Sequence, residues 1–246
     1  MTEGNKDRQT GIQSLKLEVN GHRVHYLKSG SGPPVVLIHG GASDSRDWLD
    51  TLKALSHRYT LYAPDLLGFG QTDRNKDAYY LSDFTDFLLE FFEVLGLEQT
   101  IFVGHSFGGR ICLDVALRYP EKVRKLILLD SVGLGKVSRF GTVVLTGFWL
   151  IRNLFRREQP FPQFLATDGD NTHWLCDKEL PALKMPTLLV WKRHDIYLPV
   201  SLARRAVKLI PKGHLAVLPG YGHAPHEQNK DAFNRLLLDF FDRDRA

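Results

Sequence analysis

The stretch GHSFGG at 104–109 places a serine between two glycines. A serine hydroxyl is a weak nucleophile until a base takes its proton, and glycine is unfavourable inside regular structure. Both choices make sense if the chain turns sharply at Ser106 from the apolar run IFV (101–103) into a helix. Such a turn strains the serine backbone, requires tiny residues two positions away on each side, and leaves the hydroxyl aimed outward toward an imidazole. Gly104 and Gly108 occupy those two positions. A helix over 107–119 would then point its positive N-terminal end at any anionic oxygen formed beside the hydroxyl. The chemistry so described is nucleophilic attack by an activated serine.

Further reactive side chains follow other apolar runs. His39-Gly40-Gly41 follows PVVLI (34–38), Asp65 follows TLYAP, Asp130 follows KLILL (125–129), Asp195 comes shortly after TLLVW (187–191), and His223 follows LAVLPGYG. In open α/β sheets ligands collect beyond the carboxyl ends of the strands. A hydroxyl, several carboxylates and an imidazole therefore meet on one rim, in the chain order Ser, Asp, His.

The elements that must position them are legible as two kinds of pattern. LKLEV (15–19) alternates, Asn20-Gly21 supplies a two-residue turn, and HRVHYLK returns, which reads as an antiparallel hairpin. The short, nearly continuous apolar runs that follow suit strands covered on both faces, as in a parallel sheet. Between them lie helical stripes. Phe84, Phe87, Leu88, Phe91, Phe92 and Leu95 recur at helical spacing over 82–95, with Ser82 as the expected N-cap, and Phe233, Leu236, Leu237, Phe240 and Phe241 do the same near the end. These stripes are core faces. The fold expected is α/β: a mostly parallel central sheet opened by an antiparallel hairpin, helices on both faces, and a short lid inserted after the sixth strand. The lid is the break in alternation at 131–185, flanked by core segments 12–130 and 186–246 of one domain spanning 1–246.

Composition limits the alternatives. The 246 residues are 43% hydrophobic and 24% charged with a formal charge of +4, too small and scattered to argue for nucleic acid. Basic clusters at 152–157 and 204–212 interleave with apolar residues and read as solvated helix faces. Cys112 and Cys176 build no disulfide framework. The polar start lacks a signal-peptide core, and the apolar run at 142–151 is too short to span a bilayer, so a cytoplasmic protein without a membrane span is expected. Metal-like patterns are incomplete. Asp168, Asp170 and Glu179 fit three calcium-loop positions, but His173 stands where glycine is required, and His173 with Cys176 lacks two further zinc ligands. No metal and no cofactor are expected.

With HGG at 39–41, PDLLGFGQTD at 64–73, GHSFGG at 104–109, LLD at 128–130, PTLLVWKRHD at 186–195 and GYGHAPHE at 220–227, the chain resembles the α/β-hydrolase superfamily over nearly all its length. The resemblance implies Ser106 as nucleophile, His223 as general base and Asp195 as the acid that orients it. It also implies an oxyanion hole from the backbone N–H groups of Gly41 and Phe107. Asp130 is a rival acid and His226 a rival base. His105 and His39 read as scaffold residues satisfied by nearby backbone, and Asp65 as a carboxylate fixing its loop. Lys192 in place of a usual glycine, Gln228 in place of a frequent carboxylate, and the short lid depart from the family pattern.

A serine at 106 sets the chain apart from relatives of this fold that use an aspartate nucleophile. The reading that follows is a carboxylesterase-like hydrolase of a small or medium apolar ester, acting through an acyl-enzyme. Two alternatives stand beside it: a C–C bond hydrolase of ring-cleavage-type diketone acids, and a ligand receptor retaining a slow triad. Phe148, Trp149 and Trp174 of the lid are the candidate substrate-binding residues, although aromatic residues there also serve to pack a lid onto a sheet. Arg110 or Arg152 would suit an acidic substrate. The partner expected is a small molecule, with the protein a monomer or homodimer.

Overall fold

The computed structural model describes residues 4–6, 11–41, 43–75, 79–136, 138–139, 141–143 and 177–243. At the centre, the described residues form a sheet of nine strands: β1 (Gly4–Lys6), β2 (Gln13–Val19), β3 (His22–Ser29), β4 (Pro34–Ile38), β5 (Thr60–Pro64), β6 (Thr100–His105), β7 (Val123–Leu129), β8 (Thr187–His194) and β9 (Gly213–Tyr221). They lie in the order β1-β2-β3-β5-β4-β6-β7-β8-β9. The pairs β1–β2, β2–β3 and β3–β5 are antiparallel, and every other pair is parallel. The mostly parallel sheet opened by a hairpin is thus present. The turn between β2 and β3 has Asn20 at φ 47° and Gly21 at φ 73°, the left-handed pair a two-residue hairpin needs.

The apolar runs are buried on both faces because alternate residues enter different cores. Val36, Ile38, Phe102, Leu126, Leu128, Leu189 and Trp191 join one cluster, while Val35, Leu37, Ile101, Val103, Ile127, Leu129, Leu188 and Val190 join the other. The first is covered by α2 (Leu81–Val94) and α3 (Phe107–Arg118), whose Phe84, Phe87, Phe91, Ile111 and Val115 enter it. The second is covered by α1 (Leu49–Leu55) and, after α4 (Val200–Ala206) and the short α5 (Pro225–Gln228), by α6 (Lys230–Asp242). Side chains that alternate across a strand produce this two-sided core.

Two expectations are corrected. Ser82 does not cap α2: the cap position is Tyr80, whose N–H donates to the Asp83 carboxylate at 2.7 Å. A carboxylate in the first turn satisfies the free N–H better than a serine two positions too late. The strand before residues 131–185 is the seventh rather than the sixth, because three-residue β1 adds to the sheet edge by pairing with Gln13, Ser14 and Leu15. Of the expected lid, 131–136, 138–139, 141–143 and 177–185 fall among the described residues. There Leu134, Leu180, Leu183 and Met185 are buried in the first core cluster.

Two lysines are buried and tied to main chain. Lys125 on β7 donates from Nζ to the carbonyls of Phe240 and Phe241 at 2.8 and 3.1 Å. Lys192 on β8 donates to the Pro219 carbonyl at 2.8 Å and Asn229 Oδ1 at 2.6 Å, so the residue that departs from the family pattern clasps the strand that follows it. No helix among the described residues is long and apolar enough to cross a membrane.

Candidate active site

Ser106 sits between β6 and α3 at φ 51° and ψ −113°. A positive φ is rare for a residue with a Cβ and stores strain. The ties that hold it are main-chain bonds: its N–H donates to the Leu129 carbonyl at 2.9 Å, and its carbonyl accepts from Val132 at 3.1 Å and Arg110 at 3.3 Å. The flanking glycines are required by contact. A Cβ on Gly104 would lie 2.6 Å from the Gly108 carbonyl oxygen, and one on Gly108 would meet the carbonyl oxygens of His39 and Ile38. The sharp turn read from GHSFGG is therefore present, and the helix that follows starts at Phe107.

His223, in the loop after β9, bridges the hydroxyl and a carboxylate. Its Nε2 lies 2.8 Å from Ser106 Oγ and its Nδ1 lies 2.7 Å from Asp195 Oδ2. Asp195 follows β8, and its Oδ1 accepts the N–H groups of Tyr197 and Leu198 at 2.7 and 2.9 Å. Those two donors fix the carboxylate so that its other oxygen faces the imidazole. The Tyr197 ring stands edge-on to His223 at 5.2 Å. With Nδ1–H donated to a carboxylate, Nε2 carries the lone pair that faces the serine hydroxyl.

The histidines read as scaffold are buried. His39 donates from Nδ1 to the Gly40 carbonyl at 2.8 Å and accepts the Leu66 N–H on Nε2 at 3.0 Å, a complete set for a neutral ring, and burial lowers its pKa. His105 donates from Nε2 to the main-chain carbonyl of His223 at 2.5 Å. Burial first, then the neighbouring His226 and His223, hold its pKa well below the usual imidazole range. His226 does not reach Ser106; it stacks on Trp48 at 4.5 Å, and burial followed by His223 pushes it down to about 3. Its ring nitrogens and His105 Nδ1 have no hydrogen-bond partner among the described residues.

Asp65 fixes its loop as expected. Its carboxylate accepts from His25 Nδ1 at 2.7 Å, from the Ser45 N–H at 2.7 Å and from the Gln71 N–H at 2.8 Å. Burial raises its pKa, but these hydrogen bonds outweigh burial and bring it down to about 2. Gly70, at φ 52°, is pressed against the same carboxylate.

Asp130 directly follows β7 and is buried, with φ 37°. Its Oδ1 accepts the Lys192 N–H at 2.9 Å. It lies beside Asp195 and His223 without a hydrogen bond to the imidazole; the His223 contact belongs to Asp195. Burial and then the charge of Asp195 push the Asp130 carboxyl up to about 8.

The loop of Gly41 packs against the serine, since a Cβ on its neighbour Gly40 would stand 3.4 Å from Ser106 Cβ. Phe107 is the first residue of α3. Arg110 is 3.5 Å from Asp114, so its guanidinium already has a carboxylate. Asp47, His105 and His226 bring one carboxylate oxygen and two imidazole nitrogens within 4.8 Å of one another, a group of described residues whose donor atoms could hold a cation. Phe148, Trp149, Trp174, Arg152, Asp168, Asp170, His173 and Cys176 lie outside the described residues. Sequence reading missed the His105–His223 tie, because a hydrogen bond to a carbonyl 118 residues away leaves no local pattern.

Residues 33–159 match the family described as alpha/beta hydrolase fold. The 2-hydroxymuconate semialdehyde hydrolase of Pseudomonas sp. strain CF600 is 28% identical, over 89% of this chain and 90% of its own. A meta-cleavage product hydrolase from Pseudomonas fluorescens IP01, solved as a mutant complexed with acetates, is 28% identical with a TM-score of 0.76, covering 92% of this chain and 97% of its own. A serine hydrolase from Cycloclasticus zankles, 23% identical, shares the fold with a TM-score of 0.80 over 94% of this chain and 98% of its own.

Proposed function

Since the chain belongs to the alpha/beta hydrolase fold family, we propose that Ser106, His223 and Asp195 are the nucleophile, base and orienting acid of a serine hydrolase. The observation that carries this reading is the bridge made by His223, 2.8 Å from Ser106 Oγ and 2.7 Å from Asp195 Oδ2. In the first half-reaction Ser106 Oγ attacks the acyl carbon as its proton passes to His223 Nε2. Asp195 stabilises the imidazolium that results. The N–H groups of Phe107 and Gly41 are the donors to the oxygen that gains the charge; such donors typically contribute roughly 10²–10³ in rate each. The tetrahedral intermediate collapses, His223 returns the proton to the leaving oxygen, and an acyl-serine remains. Water then attacks that ester with His223 again taking the proton, which releases the acid and restores the hydroxyl.

The bond cleaved is a carboxylic ester of a small or medium apolar substrate. A second reading, cleavage of a C–C bond in a ring-cleavage-type diketone acid, is favoured by the two relatives at 28% identity. The same serine and histidine serve both readings, and the leaving atom separates them.

The test is direct. Purified protein and Ser106→Ala are assayed on a panel of p-nitrophenyl esters and on a 2-hydroxy-6-oxo-dienoate. Loss of activity in Ser106→Ala with a burst of p-nitrophenol in wild type supports the acyl-enzyme. Equal hydrolysis by both proteins removes the proposal. Turnover of the dienoate far above the esters selects the C–C reading. Ligand-dependent thermal stabilisation without turnover of either substrate class selects a receptor instead.

A further inference from the structure

We propose that Asp130 is a positioning residue of this site: as a neutral carboxylic acid it donates a hydrogen bond from Oδ2 to the Asp195 carboxylate and so holds Asp195 against His223. The inference rests on the roles proposed above for Ser106, His223 and Asp195.

The hydrogen-bond inventory calls for such a donor. Asp130 Oδ1 is occupied by the Lys192 N–H, whereas Oδ2 is buried with no partner among the described residues. Asp195 Oδ1 already accepts two N–H groups, and Oδ2 accepts one from His223. A carboxylate oxygen has two lone-pair sites, so Asp195 Oδ2 has room for one more donor. One carboxylate oxygen of Asp130, one of Asp195 and a ring nitrogen of His223 all lie within 4.8 Å of one another. A proton on Asp130 Oδ2 therefore satisfies both unfilled positions at once.

Asp130 is the one of the pair to hold the proton. Two carboxylates this close in a buried site do not both ionise. Hydrogen bonds donated to a carboxylate favour its charged form; Asp195 accepts from Tyr197, Leu198 and His223, and Asp130 from the Lys192 N–H. The titratable groups facing Asp130 are Asp195, His223 and Lys192. Lys192 opposes the shift, but its ammonium is engaged by the Pro219 carbonyl and Asn229. Burial and then the charge of Asp195 push the Asp130 carboxyl up to about 8, which leaves it protonated at neutral pH. Its φ of 37° is consistent with a residue placed for a purpose other than continuing the strand.

The test compares Asp130→Asn with wild type. The amide keeps an acceptor for the Lys192 N–H and a donor for Asp195 but cannot ionise. With p-nitrophenyl acetate, kcat at pH 7 stays within about threefold. The wild-type fall of kcat near pH 8, where Asp130 loses its proton, is absent from the variant. Melting temperatures supply a readout independent of activity. A carboxyl whose folded pKa is raised to about 8 penalises the fold progressively as pH climbs from about 4 to 8, so the advantage of Asp130→Asn over wild type grows from pH 5 to pH 8. Asp130→Leu removes the donor and lowers kcat about tenfold with KM unchanged; if it fails to fold, the Asn comparison decides. An alkaline limb shared by wild type and Asp130→Asn, or a melting difference flat between pH 5 and pH 8, overturns the proposal. If Ser106→Ala proves as active as wild type, the reading of the site fails separately, and the melting series alone decides where the proton sits.

Discussion

His105, the residue before the candidate nucleophile, donates from Nε2 to the main-chain carbonyl of His223 at 2.5 Å. The loop that carries the imidazole is thereby fastened to the strand end that carries the hydroxyl. The rings of these two histidines lie 5.1 Å apart. The strained turn at Ser106 and the loop after β9 thus keep one geometry, although 117 residues separate Ser106 from His223.

Removing that fastening should affect rate more than binding. In His105→Ala, kcat on a p-nitrophenyl ester is expected to fall about tenfold, the equivalent of one lost hydrogen bond, with KM nearly unchanged. Steady-state kinetics at pH 7.5 check this. A rise in KM with kcat intact would place His105 in substrate binding instead.

Ser106 and His223 should behave as one unit. Ser106→Ala and His223→Ala are each expected to lower kcat by about 10⁴-fold or more, and the double variant to be no slower than the worse single variant. Additive losses would mean that the 2.8 Å contact between them is not used in turnover.

Asp65 offers a stability prediction with a defined sign. Its folded pKa is about 2 and its unfolded value is near 3.8, so its stabilisation is fully present above pH 4 and lost as pH falls toward 2. Asp65→Asn should therefore lower stability by about 2 kcal/mol at pH 6. That deficit should shrink as urea midpoints are followed from pH 5 down to pH 2.5.

Three buried imidazoles, His39, His105 and His226, have pKa values lowered by burial. Each binds its proton more readily in the unfolded chain, so stability falls as pH drops below about 6.5. Urea denaturation between pH 7 and pH 4 should show a proton-linked slope that weakens when His226 is replaced by Phe. An aromatic ring there retains the stacking on Trp48 without a titrating nitrogen.

The strands were legible because burial on both faces leaves a continuous apolar signature. PVVLI over 34–38 coincides with β4, and the Asn20-Gly21 turn is where composition places it. Short or capping features were not, since they depend on partners. Strand β1 has three residues and exists through its pairing with β2. The cap of α2 depends on Asp83 folding back to Tyr80 rather than on residue type at position 82. At the site, strand ends revealed which groups share a rim. Asp130 and Asp195 both satisfy that criterion; only the imidazole direction separates them, and that is a distance rather than a pattern.

The buried ammonium of Lys125 ties a central strand to the carbonyls of Phe240 and Phe241. The strand and its acceptors lie 115 residues apart in the chain. A nascent chain displaying only its first strands and helices holds a lysine destined for the interior whose two main-chain acceptors have not yet been synthesised. The Lys125 ammonium therefore finds these acceptors only once α6 has been made and packed against the sheet.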